Sequence, residues 1–193
     1  MKKDFKEILE CTNYVRKEIK DIESNGAKYR WINKKVEKEL VIFEPSLESL
    51  KNVNLPKFGK ISIKEKDSKT TLLLETNNDI ENINPRPSSG IIINIDEMDL
   101  SEYNRIKMWV YLDLPSQQNI YVHFYIGNDS VDDQTHTESV YANQWNLLVW
   151  EINDTLRDKV NKIIITPFLF GCPPEGEGKL DFYIGNIVCE KVE

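Results

Sequence analysis

Two stretches in the second half of the chain alternate apolar and polar side chains residue by residue. Along one of them, Ile106, Met108, Val110 and Leu112 share one parity, and Lys107, Trp109 and Tyr111 share the other. Successive side chains on a strand point to opposite faces, so the first set is predicted to enter a core and the second to stand outside it. The pattern repeats further on, with Ile120, Val122, Phe124 and Ile126 predicted inward and Tyr121, His123 and Tyr125 outward. The outward set is aromatic and hydrogen-bonding. Flat apolar rings with a few placed polar groups are what a saccharide-binding surface needs, because sugars stack their axial hydrogens on rings and offer hydroxyls to polar side chains.

The same period of two predicts nine strands, at about Leu40 to Glu44, Lys60 to Glu65, Thr70 to Thr76, Gly90 to Ile95, Asn104 to Leu112, Asn119 to Gly127, Trp145 to Ile152, Lys162 to Phe170 and Leu180 to Cys189. Short strands separated by turn signals, with hardly any second helix, predict an all-β fold, a two-sheet antiparallel jelly-roll sandwich. The beginning of the chain reads differently. Phe5, Ile8, Leu9, Thr12, Val15, Ile19 and Ile22 recur at helical spacing among Lys and Glu, which predicts an amphipathic α-helix closed by Ser24-Asn25-Gly26. The expected organisation is a helical extension over 1–26 and a β-sandwich over 27–193, with the helix docking its apolar stripe on the chain's own sandwich, since an isolated helix of this length is marginal in water. Two polar loops are expected, Asn77 to Ser89 and Asn128 to Glu138.

A length of 193 residues suits one sandwich with an appendage. The net charge of −7 opposes attraction to nucleic-acid phosphates and to anionic lipid, and no run is long enough to span a membrane, so neither partner is expected. No apolar stretch of signal-peptide length follows the charged first residues, which as written places the chain in the cytoplasm, or outside the cell if it is excised from a larger exported protein. Cys11, Cys172 and Cys189 are too scattered for a disulfide framework or a zinc site and read as buried or idle thiols. No metal or cofactor motif is present: there is no Gly-rich phosphate loop, no nucleophile elbow and no His-rich cluster.

A third alternating run, Ile163 to Phe170, would set Thr166, Phe168 and Phe170 beside the aromatic face, so that three strands share one surface. The candidate ligand-binding residues are Arg86, reaching in from the first polar loop, with Trp109, Tyr111, His123, Tyr125, Phe168 and Phe170. Two other readings stand beside this one. Large aromatics in a two-sheet sandwich are often core. Alternatively His123 acts as a general base, with Tyr125 or Tyr111 as proton donor, in β-elimination of a uronic acid sugar. Arg and Gln partners for that chemistry are missing from these strands, and no catalytic residue is assigned.

The stretches Leu40-Val41-Ile42-Phe43-Glu44 with Leu47 to Leu50, Asp99 to Tyr111, Asn143 to Ile152, and Asp181-Phe182-Tyr183-Ile184-Gly185-Asn186-Ile187 together resemble the galactose-binding-like β-sandwich of carbohydrate-binding modules. The resemblance runs from about Val41 to the C-terminus. It implies a noncatalytic jelly roll that holds an oligosaccharide or polysaccharide near a catalytic glycoside hydrolase or lyase domain, of the kind attached to bacterial enzymes. A structural alternative is a domain that packs against such a catalytic neighbour. Family members place acidic calcium ligands after the aromatic pair of the last strand, where this chain has Gly185 and Asn186. Glu44 alone would hold a hard cation weakly, so the fold is expected to need no calcium.

Overall fold

The computed structural model describes residues 34–54, 59–76, 91–113, 119–128, 135–152, 157–169 and 180–193. The predicted helix and its docking lie outside these residues, as do the loop at 77–89, Arg86, Phe170, Cys11 and Cys172. Eleven strands are described: β1 (Val36–Phe43), β2 (Val53–Asn54), β3 (Lys60–Lys66), β4 (Lys69–Thr76), β5 (Ile91–Met98), β6 (Arg105–Asp113), β7 (Asn119–Gly127), β8 (Thr135–Tyr141), β9 (Trp145–Glu151), β10 (Val160–Leu169) and β11 (Leu180–Val192). They form two antiparallel sheets. The first has the order β3-β4-β11-β6-β9, with β1 pairing to the far half of β11, and the second has the order β2-β5-β10-β7-β8. This is the all-β sandwich that the alternation predicts. Among the described residues no helix is long and apolar enough to cross a membrane.

The inward parity read from the sequence is the core. Ile106, Met108, Val110 and Leu112 on β6 face Val122, Phe124 and Ile126 on β7, and β5 and β10 add Ile91, Ile93, Ile163 and Ile165. Strand β11 supplies Phe182 and Ile184, then Ile187 and Cys189. The change of parity between Ile184 and Ile187 coincides with a register shift against β6. A bulge there absorbs one extra residue, so both halves of a 13-residue strand keep their apolar side chains inward.

Part of the polar stretch 128–138 is not a loop. From Thr135 it becomes β8, the edge strand of the second sheet, pairing with β7 from Tyr125↔Thr135 to Asn119↔Tyr141. Its inward positions include His136 and Glu138, where apolar residues would have revealed the strand. The His136 ring stacks on Trp150 of β9 at 5.7 Å and 8°, and its Nε2 lies 2.7 Å from Glu138 Oε1. Polar side chains thus close the open side of the sandwich between two edge strands. The two-residue β2 is also absent from the sequence reading, being too short to show any period.

Cys189 is a free, buried thiol whose pKa is pushed up to about 12, first by burial and then by the neighbouring Glu190 charge. A pKa raised in the folded state favours folding below the ordinary thiol value, and that contribution is lost as pH climbs toward about 12. Peptide mapping after iodoacetamide treatment at pH 8 should find Cys189 unmodified in the native protein and alkylated in urea. Rapid native labelling would contradict its burial.

Candidate functional site

The outer face of the first sheet carries a row of aromatic residues drawn from three strands. Antiparallel register sets Tyr183 of β11 opposite Tyr111 of β6, and Tyr111 opposite Trp145 of β9. The rings meet edge to face, with Tyr111 and Trp145 centroids 5.6 Å apart and Tyr111 and Tyr183 centroids 6.0 Å apart. Both spacings fall in the favourable range for aromatic pairs. Trp109, the next outward residue of β6, stands beside this row and is 40% exposed, high for so large an apolar side chain. Gly185 lies next to it in the β11 bulge. A Cβ at Gly185 would come 3.4 Å from Trp109 Cβ, an ordinary contact distance.

The β3–β4 hairpin reaches over the same rings. Its two turn residues, Asp67 at φ 50° and Ser68 at φ 62°, adopt the left-handed conformation of a tight two-residue hairpin turn. Lys66 Nζ lies 4.1 Å from the Tyr111 ring centroid and 5.1 Å from that of Tyr183. Lys69 Nζ lies 4.9 Å from the Trp109 centroid and 4.6 Å from that of Trp145. These are cation–π distances. Asp67 Oδ2 accepts a 2.9 Å hydrogen bond from Trp145 Nε1, and Lys66 donates to Asp113 Oδ2 at 3.3 Å. Partial burial pulls the Lys66 ammonium pKa down. The Asp113 hydrogen bond and charge, with the Tyr111 and Tyr183 phenols, outweigh that pull and leave the pKa above its ordinary value. Lys66 is therefore a fixed cation at neutral pH.

Of the residues predicted from the sequence, Trp109 and Tyr111 meet here. His123, Tyr125 and Phe168 do not join them, and Arg86 and Phe170 lie outside the described residues. Strands β7 and β10 belong to the second sheet, so the outward side chains of β7 face away from Trp109 and Tyr111 across the whole core. The expectation that β6, β7 and β10 share one surface is corrected, because parity says which side of its own sheet a residue takes but not which sheet it joins. His123 lies half-buried, with Nδ1 2.6 Å from Thr137 Oγ1, and burial, then the charge of His136, holds its pKa below the usual histidine value. Tyr125 is only 7% exposed. Its ring folds back over Gly127, where a Cβ would come 2.6 Å from the phenol oxygen, and the hydroxyl donates to the Asn128 carbonyl at 3.0 Å. Phe168 pairs with Tyr121 in the register of this second sheet. Of the two proton donors an elimination could use with His123, Tyr111 stands on the other sheet, and Tyr125 shares the strand of His123 but gives its hydroxyl to the Asn128 carbonyl.

Trp145, Tyr183, Lys66 and Lys69 are not among the ligand residues predicted from the sequence, although Trp145 and Tyr183 sit inside the stretches that carry the family resemblance. Their outward parity is readable along the chain. Their alignment with Tyr111 is not, because it depends on pairing between distant segments. Among the described residues no group of three or more His, Cys, Asp or Glu gathers as a metal site.

No family model and no curated protein matches this sequence. Solved structures do match in shape. One is the Clostridium thermocellum endo-1,4-beta-D-xylanase 10B, a family 22 carbohydrate-binding module joined to a GH10 module and complexed with xylohexaose, with TM-score 0.51 and 12% identity over 79% of this chain and 28% of that one. Another is the N-terminal tandem of family 22 modules from Paenibacillus barcinonensis Xyn10C, with TM-score 0.50 and 11% identity over 80% of this chain and 50% of that one. A family 11 module from Clostridium thermocellum, in complex with a beta-1,3-1,4-mixed-linked tetrasaccharide, aligns at TM-score 0.48 and 13% identity over 80% and 95%. The chain spans half or less of the two multi-module chains. What it shares with them is a fold, the two-sheet antiparallel β-sandwich of carbohydrate-binding modules.

Proposed function

We propose that this domain is a noncatalytic saccharide-binding module and that its ligand lies on the outer face of the first sheet, against Trp109 and the row Tyr183, Tyr111 and Trp145. The observation that carries the proposal is the exposed Trp109 ring beside three aligned aromatics, a surface that costs solvation free energy unless a ligand uses it. The fold adds support, since the similar family 22 module was crystallised with xylohexaose. By the same analogy the domain serves a glycan-degrading enzyme, holding polymer close to a catalytic partner.

A glycan array with the wild-type protein, followed by titration of the best ligand against variants, tests this reading. Trp109→Ala is expected to weaken binding by roughly 2 kcal/mol, as loss of a central aromatic anchor does. Its unfolding midpoint should stay near that of the parent, because the side chain is substantially exposed. His123→Ala, on the opposite face, should bind like the parent. If the histidine variant loses binding and the tryptophan variant keeps it, the ligand lies on the second sheet. Absence of any bound saccharide would remove the proposal.

A further inference from the structure

We infer that the saccharide taken by this face is acidic, bearing a carboxylate on its ring, and that Lys69 is the residue that recognises the charge; this rests on the saccharide-binding reading above. Several lysines around the sandwich meet carboxylates: Lys66 with Asp113, Lys107 with Glu39 and Glu190, Lys38 with Glu102, and Lys191 with Glu37. Lys69 is different. Among the described residues its ammonium makes no ion pair and is held instead between the Trp109 and Trp145 rings, at 4.9 and 4.6 Å from their centroids. Ring faces attract a cation without neutralising it, and an ammonium has three donors to direct outward.

This cation sits at the edge of the open Trp109 surface. A pyranose stacked on that indole would bring a ring substituent beside Lys69 Nζ, where a carboxylate makes a charge-assisted hydrogen bond that a neutral hydroxymethyl group cannot match. Lys60 and Lys64 stand exposed on β3, at outward positions paired with Glu75 and Thr71, and extend the positive edge along the hairpin. The hairpin turn fixes the charge in place, since Asp67 ties the tip to Trp145 through the indole N–H. A densely charged polyphosphate fits less well, because Asp67, Asp113, Asp181 and Glu75 border the same face and the chain carries a net charge of −7.

Polygalacturonate, alginate and glucuronoxylan, each beside its carboxyl-reduced neutral form, provide the test with the full chain at low salt. At least one acidic form is expected to bind about tenfold more tightly than its reduced counterpart, the scale of one charge-assisted hydrogen bond. Lys69→Gln should abolish that ratio by weakening the acidic form, and Lys69→Arg should restore it. Trp109→Ala should weaken both forms together. Equal binding of acid and reduced forms, still dependent on Trp109, overturns the acidic-ligand inference and leaves the saccharide site standing. Tighter binding of an oligothymidylate than of any saccharide overturns it in favour of nucleic acid. Binding of no saccharide, acidic or neutral, removes the site and the inference together.

Discussion

Replacing Glu190 with Ala is expected to destabilise the fold by about 3–5 kcal/mol, the scale on which breaking one partner out of a buried ion pair acts. Glu190 is 1% exposed and Arg105 is 4% exposed, and they meet on the first sheet through Arg105 Nε donating to Glu190 Oε2 at 2.6 Å, with a second guanidinium nitrogen on the same oxygen. Lys107 Nζ donates to the other carboxylate oxygen and to Glu39 Oε2 at 3.0 Å. Removing the carboxylate leaves a guanidinium buried beside a lysine, two like charges without the anion between them. Burial alone would raise the Glu190 carboxyl pKa. The hydrogen bonds from Lys107 and Arg105 and their charges more than offset this and hold it below the ordinary carboxylate value of 4.5. A pKa depressed on folding contributes stability at pH above the unfolded value and loses it as pH falls through the folded one. Urea denaturation at pH 7 should therefore separate the parent from Glu190→Ala, and the gap should shrink at the acid end of the range. A variant that unfolds with the parent at pH 7 would show that the network adds nothing to stability.

Phe182→Ala is expected to cost a similar amount, about 3–5 kcal/mol, for an unrelated reason. Phe182 has no exposed surface and sits on the central strand of the first sheet, in register between Leu74 of β4 and Leu112 of β6. Truncation forfeits the transfer free energy of the ring and leaves a cavity that strands hydrogen-bonded on both sides cannot close. Its neighbour Tyr183 points the other way, into the aromatic row, so Tyr183→Ala should be much milder in stability and more severe in ligand binding. The two variants, one residue apart, separate core from site. A loss below about 1 kcal/mol for Phe182→Ala would mean that the core collapses around the gap.

The contrast between these two residues marks how far local pattern carries. Alternation along β6 and β11 is a period-two property of the backbone, so inward Met108 and Phe182 and outward Trp109 and Tyr183 are all readable from the chain. The same rule fails at β8, where His136 and Glu138 occupy inward positions at an open edge, and a polar edge strand has the composition of a loop. The resemblance to carbohydrate-binding modules is legible for a related reason. Its quoted stretches fall largely on β1, β6, β9 and β11, strands joined in the first sheet, where packing and turn geometry restrict residue choice.

By itself, then, the sequence determined strand parity and the sandwich class, because each follows from short-range chain geometry and from burial of apolar area. The tertiary structure alone decided which side chains are neighbours. Tyr111 stands beside Tyr183 and Trp145, and not beside His123 or Tyr125, because antiparallel pairing joins β6 to β11 and β9 and sends β7 to the other sheet. Lys66 and Lys69 of the β3–β4 hairpin reach those rings only because its turn carries them over the sheet face. Sheet pairing is non-local: its hydrogen bonds are nearly the same for any partner, and the choice rests on the summed packing of the whole core, which no single stretch of sequence encodes.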